Sequence, residues 1–345
     1  MHDLPAPTAV PVGTPALSAT IAWDAMAFQP LPGKPTNQVV TLGESYASGD
    51  GGGAYYPNTA TGPYSIDSKQ PTDPGFNRCL RSRNSWIRNT IIPVQSQTLG
   101  VLADAWDSST DLQSVACSGA VTVDVDPGVL PGINPMNFAG DGEYGEVPQL
   151  YSGVLDANTT LVAMTMGGDD AGFASIATAC LTIFTCPSST TVDAKLDAAT
   201  TKVGQLIEAI RNEAPNAKIV LLGYPELFDI SAGASLCGSA MPEVSRVALN
   251  GWADDLATKQ NAMVATEAAK GIQVVFKWPN GQFDGHHDCD SPSGINDAVP
   301  GPTADDPSDN SCPNNPICPS VSTMHPTVLG YQLYAQALEQ ALAGK

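Results

Sequence analysis

Five short apolar runs punctuate the chain, and each reads as a strand with little contact to water. They are Gln38–Leu42, Leu112–Ala116, Leu161–Met166, Lys218–Gly223 and Ile272–Phe276. The first is short, rich in β-branched residues and stopped by Gly43, as a buried strand requires. Between the later runs the apolar period changes. Val192, Leu196, Ala199, Val203, Leu206 and Ile210 recur at helical spacing, with Asp, Lys, Thr and Glu on the opposite face. That helix stops before Pro215. A second long helix is predicted over Pro242–Lys270, with Val244, Val247, Trp252 and Leu256 on one side, and a closing helix over Thr327–Leu342. Ser85–Trp106 reads as partly helical, and a short helix is predicted near Pro148–Leu155. Gly49–Asn77, Asp126–Pro148 and Asp284–Pro319 read as loops, dense in Gly, Pro, Asp and Ser.

Strands alternating with helices predict an α/β fold, a parallel sheet covered on both faces. No internal repeat or composition break divides the chain after about residue 37. Residues 1–36, rich in Pro, Ala and Thr, read as an extended arm or linker remnant, and 37–345 as one domain with long loops. The 345 residues are 42% hydrophobic, enough for a substantial core.

Charge narrows the partners. The net charge of −20 repels phosphate backbones, so nucleic acid is not expected to bind. No apolar run reaches membrane-spanning length. Eight cysteines, an even number, predict an oxidising compartment and up to four disulfides, hence a secreted protein. Met1 is not followed by a basic and then apolar leader, so a leader is expected to be absent from the chain as given. There is no Cys-x-x-Cys, and the four histidines do not fall at ligand spacing, so neither a metal nor a cofactor is expected. Cys180 and Cys186, six apart, most simply close a local loop, as do Cys312 and Cys318.

The candidate chemistry lies at strand ends. The first run stops at Gly43, and Glu44-Ser45-Tyr46 follows. Open α/β sheets place their sites at that carboxyl edge. Three later stretches can meet Ser45 there: Cys117-Ser118-Gly119-Ala120, Gly167-Gly168-Asp169-Asp170, and His325-Pro326 at the closing helix. Serine is a poor nucleophile until a base takes its proton, and histidine is the usual base. Acyl transfer then needs oxyanion donors, which glycine turns supply as backbone N–H groups.

These blocks, in this order, resemble the SGNH hydrolases, also called GDSL-type esterases and lipases, and in particular their secreted, disulfide-bonded branch in actinobacteria. That family's Gly-Asp-Ser is matched by Gly43-Glu44-Ser45. Its second-block glycine is matched by Gly119, its Gly-Gly-Asn-Asp by Gly167-Gly168-Asp169-Asp170, and its Asp-x-x-His-Pro by Ser322-Thr323-Met324-His325-Pro326. APNAKIVLLGYPELF and FDGHHDC also resemble the branch. The resemblance implies a flavodoxin-like, three-layer α/β/α sandwich that hydrolyses carboxylic esters without a cofactor. It implies Ser45 as nucleophile, His325 as base, and Ser45, Gly119 and Asp169 at the oxyanion. It also pairs Cys79 with Cys117, which would tether the Gly119 loop, and Cys237 with Cys289.

Three departures matter. Glu44 for Asp keeps the charge and lengthens the arm by one methylene. Ser322 stands where an acid would orient the histidine; some members of the branch manage with a Ser–His dyad and a backbone carbonyl. Asp169 for Asn is the most consequential, because an ionised carboxylate offers acceptors where the oxyanion needs a donor. These departures keep a rival in view: a catalytically silent fold acting as a carbohydrate- or lipid-binding module. His286 and His287 read as structural or substrate-facing. Asp288, Asp290, Asp297, Asp305, Asp306 and Asp309 read as a solvated acidic loop rather than a calcium site, since they lack an EF-hand pattern.

Overall fold

The computed structural model describes residues 33–60, 77–129, 142–182, 186–230, 241–288, 290–297, 299, 320 and 322–344. Five strands run through it: β1 (Asn37–Gly43), β2 (Thr110–Ser114), β3 (Leu161–Thr165), β4 (Lys218–Leu222) and β5 (Val274–Lys277). They form one sheet in the order β2-β1-β3-β4-β5, and every neighbouring pair is parallel. The central strands are buried on both faces, which is why they read as unbroken apolar runs.

Helices cover both faces. In chain order they are α1 (Ser45–Ser48), α2 (Trp86–Asn89), α3 (Leu99–Asp104), α4 (Thr122–Val125), α5 (Phe173–Thr182), α6 (Ser189–Glu213), α7 (Glu243–Ala269), α8 (Asn280–Phe283) and α9 (Val328–Leu342). On one face Val39, Ala163 and Val220 pack with Trp86, Tyr331, Tyr334 and Leu338 of α2 and α9. On the other, Val40, Leu42, Met164 and Leu221 pack with Val203, Leu206 and Ile210 of α6 and Val264 of α7. The three-layer α/β/α sandwich expected from the sequence is what the chain forms.

The differences lie in boundaries and in one helix face. β2 begins two residues before the apolar run, because its ladder with β1 starts at Asn37↔Thr110 and includes Asp111 and Gln113. β5 begins two residues later than its apolar run and ends one later, at Val274–Lys277. The short helix expected near Pro148–Leu155 is a single 3-10 turn at Gln149–Tyr151. α5 was not predicted at all.

α7 is rotated relative to the expectation. Val244 and Val247 are exposed, while Arg246, Asn250, Gln260 and Glu267 face inward. Those polar groups organise backbone. Asn250 Oδ1 accepts the N–H groups of Leu227 and Phe228, and its amide donates to the Phe228 carbonyl at 2.8 Å. Gln260 donates to the Met166 carbonyl at 2.8 Å. Asn250 and Gln260 thus hold the chain leaving β4 and β3, whereas Glu267 accepts from Lys270 at 2.8 Å. Among the described residues no helix is long and apolar enough to cross a membrane.

Candidate active site

The sheet order reverses direction between β1 and β3, and in such sheets ligands bind in the crevice beyond the carboxyl ends at that point. Ser45 follows β1 directly. The turn that carries it needs Gly43, whose φ is +123° and whose Cβ, if present, would lie 2.2 Å from the Thr165 carbonyl oxygen. Gln149 fixes the same residue twice, accepting from the Gly43 N–H and donating to its carbonyl, both at 2.8 Å. Glu44 caps α1 by accepting the Tyr46 N–H.

His325 arrives from the other end of the chain, just before α9. Its Nε2 lies 2.8 Å from Ser45 Oγ, and its Nδ1 lies 3.2 Å from the Thr323 carbonyl oxygen. The carbonyl thus stands where a carboxylate would orient the ring, and it belongs to Thr323, not to the Ser322 of the family block. The Tyr46 ring lies beside the imidazole, centroids 5.2 Å apart, and its O–H donates to the Met324 carbonyl at 2.6 Å.

Glu44 does more than cap. The extra methylene brings Oε2 to 2.8 Å from Ser45 Oγ, while Oε1 accepts from Thr165 Oγ1 at 2.6 Å and Tyr224 O–H at 3.1 Å. Counting protons restricts this chain of groups. Nδ1 must carry hydrogen to bond the Thr323 carbonyl. A neutral His325 then accepts the Ser45 proton at Nε2, and the proton in the Glu44–Ser45 contact must sit on Glu44. If Ser45 donates to an ionised Glu44 instead, His325 must be imidazolium. Both arrangements hold the same number of protons. Burial pushes the Glu44 carboxyl up, against the lowering effect of its hydrogen bonds with Thr165, Ser45 and Tyr46 and of nearby His325. That favours the arrangement with neutral histidine.

The Gly119 turn stands across the crevice. Gly119 has φ +88°, and a Cβ there would lie 3.3 Å from Glu143 Oε1. The Cys79–Cys117 disulfide forms as expected and anchors this turn; the Ser118 N–H donates to the Cys79 carbonyl and the Cys117 N–H to the Gly43 carbonyl, each at 3.0 Å. Neither the Ser45 nor the Gly119 N–H donates a hydrogen bond among the described residues.

Asp169 and Asp170 part company. Asp170 is structural: it accepts from the N–H and Oγ1 of Thr122 at 2.9 and 2.7 Å and from Lys202 at 3.1 Å. Asp169 lines the cavity beside Ser45, and its Oδ2 is buried without a hydrogen-bond partner. Burial, reinforced by the charges of Glu44, Asp170, Glu143 and Asp50, raises its carboxyl well above the usual range. Burial likewise lifts Glu143, with help from Asp124, to about 7.

Ser45, Gly119, Asp169 and His325 all open into one cavity of about 350 Å³. Its far wall is apolar, built by Phe173, Ile176, Val192, Leu196, Trp252 and Leu256 of α5, α6 and α7. The sequence reading missed α5, and with it this wall. It also missed Glu44 as a partner of the serine and Asp50, which lines the cavity fully buried.

His286 and His287 lie away from the cavity, with Nδ1 atoms 2.8 Å from the Pro292 carbonyl and 3.2 Å from Asp290 Oδ2. Cys180–Cys186 closes its local loop. The expected Cys237–Cys289 and Cys312–Cys318 pairs, the acidic residues Asp305, Asp306 and Asp309, and residues 1–32 of the arm lie outside the described residues. Among the described residues no three His, Cys, Asp or Glu side chains converge as metal ligands would.

No protein-family model matches the chain. Curated relatives do. A lipase of Streptomyces rimosus is 29% identical over 287 residues, 80% of this chain and 81% of that protein. Lipase 1 of Streptomyces coelicolor is 29% identical over 254 residues, 72% of each. Among solved structures, the extracellular lipase of Streptomyces rimosus superposes with a TM-score of 0.58 at 25% identity, over 88% of this chain and 99% of that one. Phospholipase A1 of Streptomyces albidoflavus shares the fold, with a TM-score of 0.55 at 24% identity over 88% and 98%. The resemblance to SGNH hydrolases carried by the sequence blocks is borne out in fold and in relatives, and the chain is a carboxylic ester hydrolase.

Proposed function

We propose that the protein is a secreted serine esterase of lipase character that works through a Ser45–His325 dyad and an acyl-enzyme. The observation that carries this reading is the 2.8 Å contact between His325 Nε2 and Ser45 Oγ at the mouth of a largely apolar cavity. Ser45 Oγ attacks the ester carbonyl as His325 takes its proton, with Nδ1–H held by the Thr323 carbonyl. The oxyanion is met by the N–H groups of Ser45 and Gly119 and by a protonated Asp169, whose raised carboxyl can donate as an amide would. His325 then passes the proton to the leaving alcohol, and water repeats the cycle on the acyl-enzyme.

The wall built by α5, α6 and α7 suits an extended acyl chain, since apolar surface removed from water stabilises by about 25 cal/mol per Å². Oxidised cysteines and the extracellular relative support export. The silent-module alternative is not favoured, because nucleophile and base are in contact and the relatives are lipases.

Hydrolysis of p-nitrophenyl esters from acetate to palmitate tests the reading. Ser45→Ala and His325→Ala each abolish turnover, and the double variant is no worse, because the two act as one unit. Residual activity above a few per cent in Ser45→Ala removes the assignment. A flat or falling preference beyond acetate removes the acyl-chain assignment.

A further inference from the structure

Asp50 is the acidic group nearest the base, and nothing in the catalytic cycle above uses it. It is fully buried and lines the cavity. Its Oδ2 lies 4.0 Å from His325 Nε2 and accepts the Ser118 O–H at 2.8 Å. Its Oδ1 is buried and has no hydrogen-bond partner. The backbone is pinned on both sides: the Asp50 N–H donates to the Ser45 carbonyl at 3.1 Å, and its carbonyl accepts the Tyr331 O–H at 2.5 Å. At the next residue, Gly51, a Cβ would lie 2.8 Å from His325 Cβ, so this segment passes directly against the histidine. Asp50 is therefore held beside the imidazole.

We infer that Asp50 supplies His325 with the negative charge that position 322 lacks, acting from the Nε2 side as a positioning residue for the base. The inference rests on the Ser45–His325 reading. In an acid–histidine pair one carboxylate both orients the ring and steadies the imidazolium. Here the two tasks are divided: the Thr323 carbonyl orients, and Asp50 carries charge. A buried carboxyl with an unmet oxygen is costly unless a cation faces it. None of the residues lining the cavity is Lys or Arg. The group beside Asp50 that can become positive is His325, and it does so as it takes the Ser45 proton. The attraction thus grows as the transition state forms, and an interaction stronger there than in the resting state accelerates the reaction. The other ionisable groups around this spot are Glu44, Asp169 and Glu143, the phenols of Tyr46, Tyr55, Tyr144, Tyr224 and Tyr331, and, beyond Tyr144, the guanidinium of Arg78, which does not line the cavity.

The test is the pH profile of inactivation of the full chain by diethyl p-nitrophenyl phosphate. Attack forms the Ser45 Oγ–P bond, expels p-nitrophenolate and leaves the serine proton on His325. Asp50→Asn keeps the size of the side chain and an acceptor for Ser118. It is expected to slow inactivation roughly tenfold or more and to move the acid limb down by about one pH unit, because the imidazolium loses its counter-charge. Ser118→Ala, which cuts the tether and leaves the charge, does not move that limb. Adding Ser322→Asp to Asp50→Asn returns the limb toward its original position. An unchanged limb in Asp50→Asn overturns the proposal alone, provided that mass spectrometry finds the label on Ser45 of the unsubstituted protein. No label there overturns the dyad reading and this proposal with it. If Asp50→Asn does not fold, Ser322→Asp alone decides: with charge already supplied, it accelerates less than about tenfold, and a larger gain overturns the proposal.

Discussion

The imidazole of His325 is oriented by the main chain two residues away: its Nδ1 lies 3.2 Å from the Thr323 carbonyl oxygen. The Ser322 side chain is not the orienting group; the Ser322 N–H is bonded to Ser320 Oγ at 3.1 Å, and its carbonyl accepts the His325 N–H at 3.1 Å. Ser322→Ala should therefore leave kcat/KM within about twofold, since backbone, not side chain, sets the tautomer. A tenfold loss in steady-state ester hydrolysis would contradict that assignment.

Glu44 Oε2 lies 2.8 Å from Ser45 Oγ, and its two conservative variants separate cap from contact. Glu44→Asp keeps a carboxyl to cap α1 and withdraws it from Ser45 Oγ. Glu44→Gln keeps the reach, cannot ionise, and donates to Oγ at every pH. Both should retain measurable turnover, and Glu44→Gln should lose activity less steeply on the alkaline side. The apparent pKa values in such profiles belong to the coupled set of groups rather than to Glu44 alone. Loss of activity in Glu44→Gln as complete as in Ser45→Ala would refute the shared-proton arrangement.

In the proposed cycle Asp169 donates to the oxyanion only while protonated, so activity should fall as pH rises through its elevated pKa. Asp169→Asn installs a permanent donor. One oxyanion donor is worth roughly 10²–10³ in kcat, so the gain should be large at alkaline pH and small in acid. Stability carries the same sign. A carboxyl raised above its ordinary 3.8 gives stability that is full below that value and is lost as pH rises through the folded-state pKa. Melting curves should show Asp169→Asn raising Tm at pH 8 and leaving it nearly unchanged near pH 4. Identical rate and melting profiles for the two proteins would end this account.

The Cys79–Cys117 bridge spans 38 residues and anchors the Gly119 turn, whereas Cys180–Cys186 spans six. Replacing Cys79 and Cys117 with serine should cost on the order of 2–4 kcal/mol, the longer loop giving the larger effect. It should also lower kcat more than the matching change at Cys180 and Cys186. Denaturant midpoints and kcat measured on both double variants decide it; equal losses of kcat would count against the tether.

The legible parts of this fold are those where burial leaves one reading. LVAMT and KIVLL lie at the centre of a parallel sheet, so all but Thr165 and Lys218 are apolar, and α6 keeps one wet face that exposes its period. α5 stayed hidden because FASIATACLT is almost uniformly small and apolar, with no polar face to mark a helical repeat. α7 misled because Arg246, Asn250 and Gln260 face inward to satisfy backbone groups, which pushes Val244 and Val247 into solvent. At the site, Ser45, Gly119, Asp169 and His325 were recognisable as blocks. Asp50 was not, because it sits in a glycine-rich stretch whose composition says only that the chain turns. Its importance comes from distance to His325, which sequence spacing does not encode.

The contact between Ser45 and His325 joins positions 280 residues apart, one opening the first helix and one just before the last. During synthesis Ser45 is made long before His325. A chain stopped before His325 has no imidazole to meet Ser45, and it also lacks α9, whose Tyr331, Tyr334 and Leu338 belong to the core. Catalysis is thus a late property of the molecule: in refolding, regain of turnover cannot precede docking of α9, even where the sheet has already recovered its secondary structure.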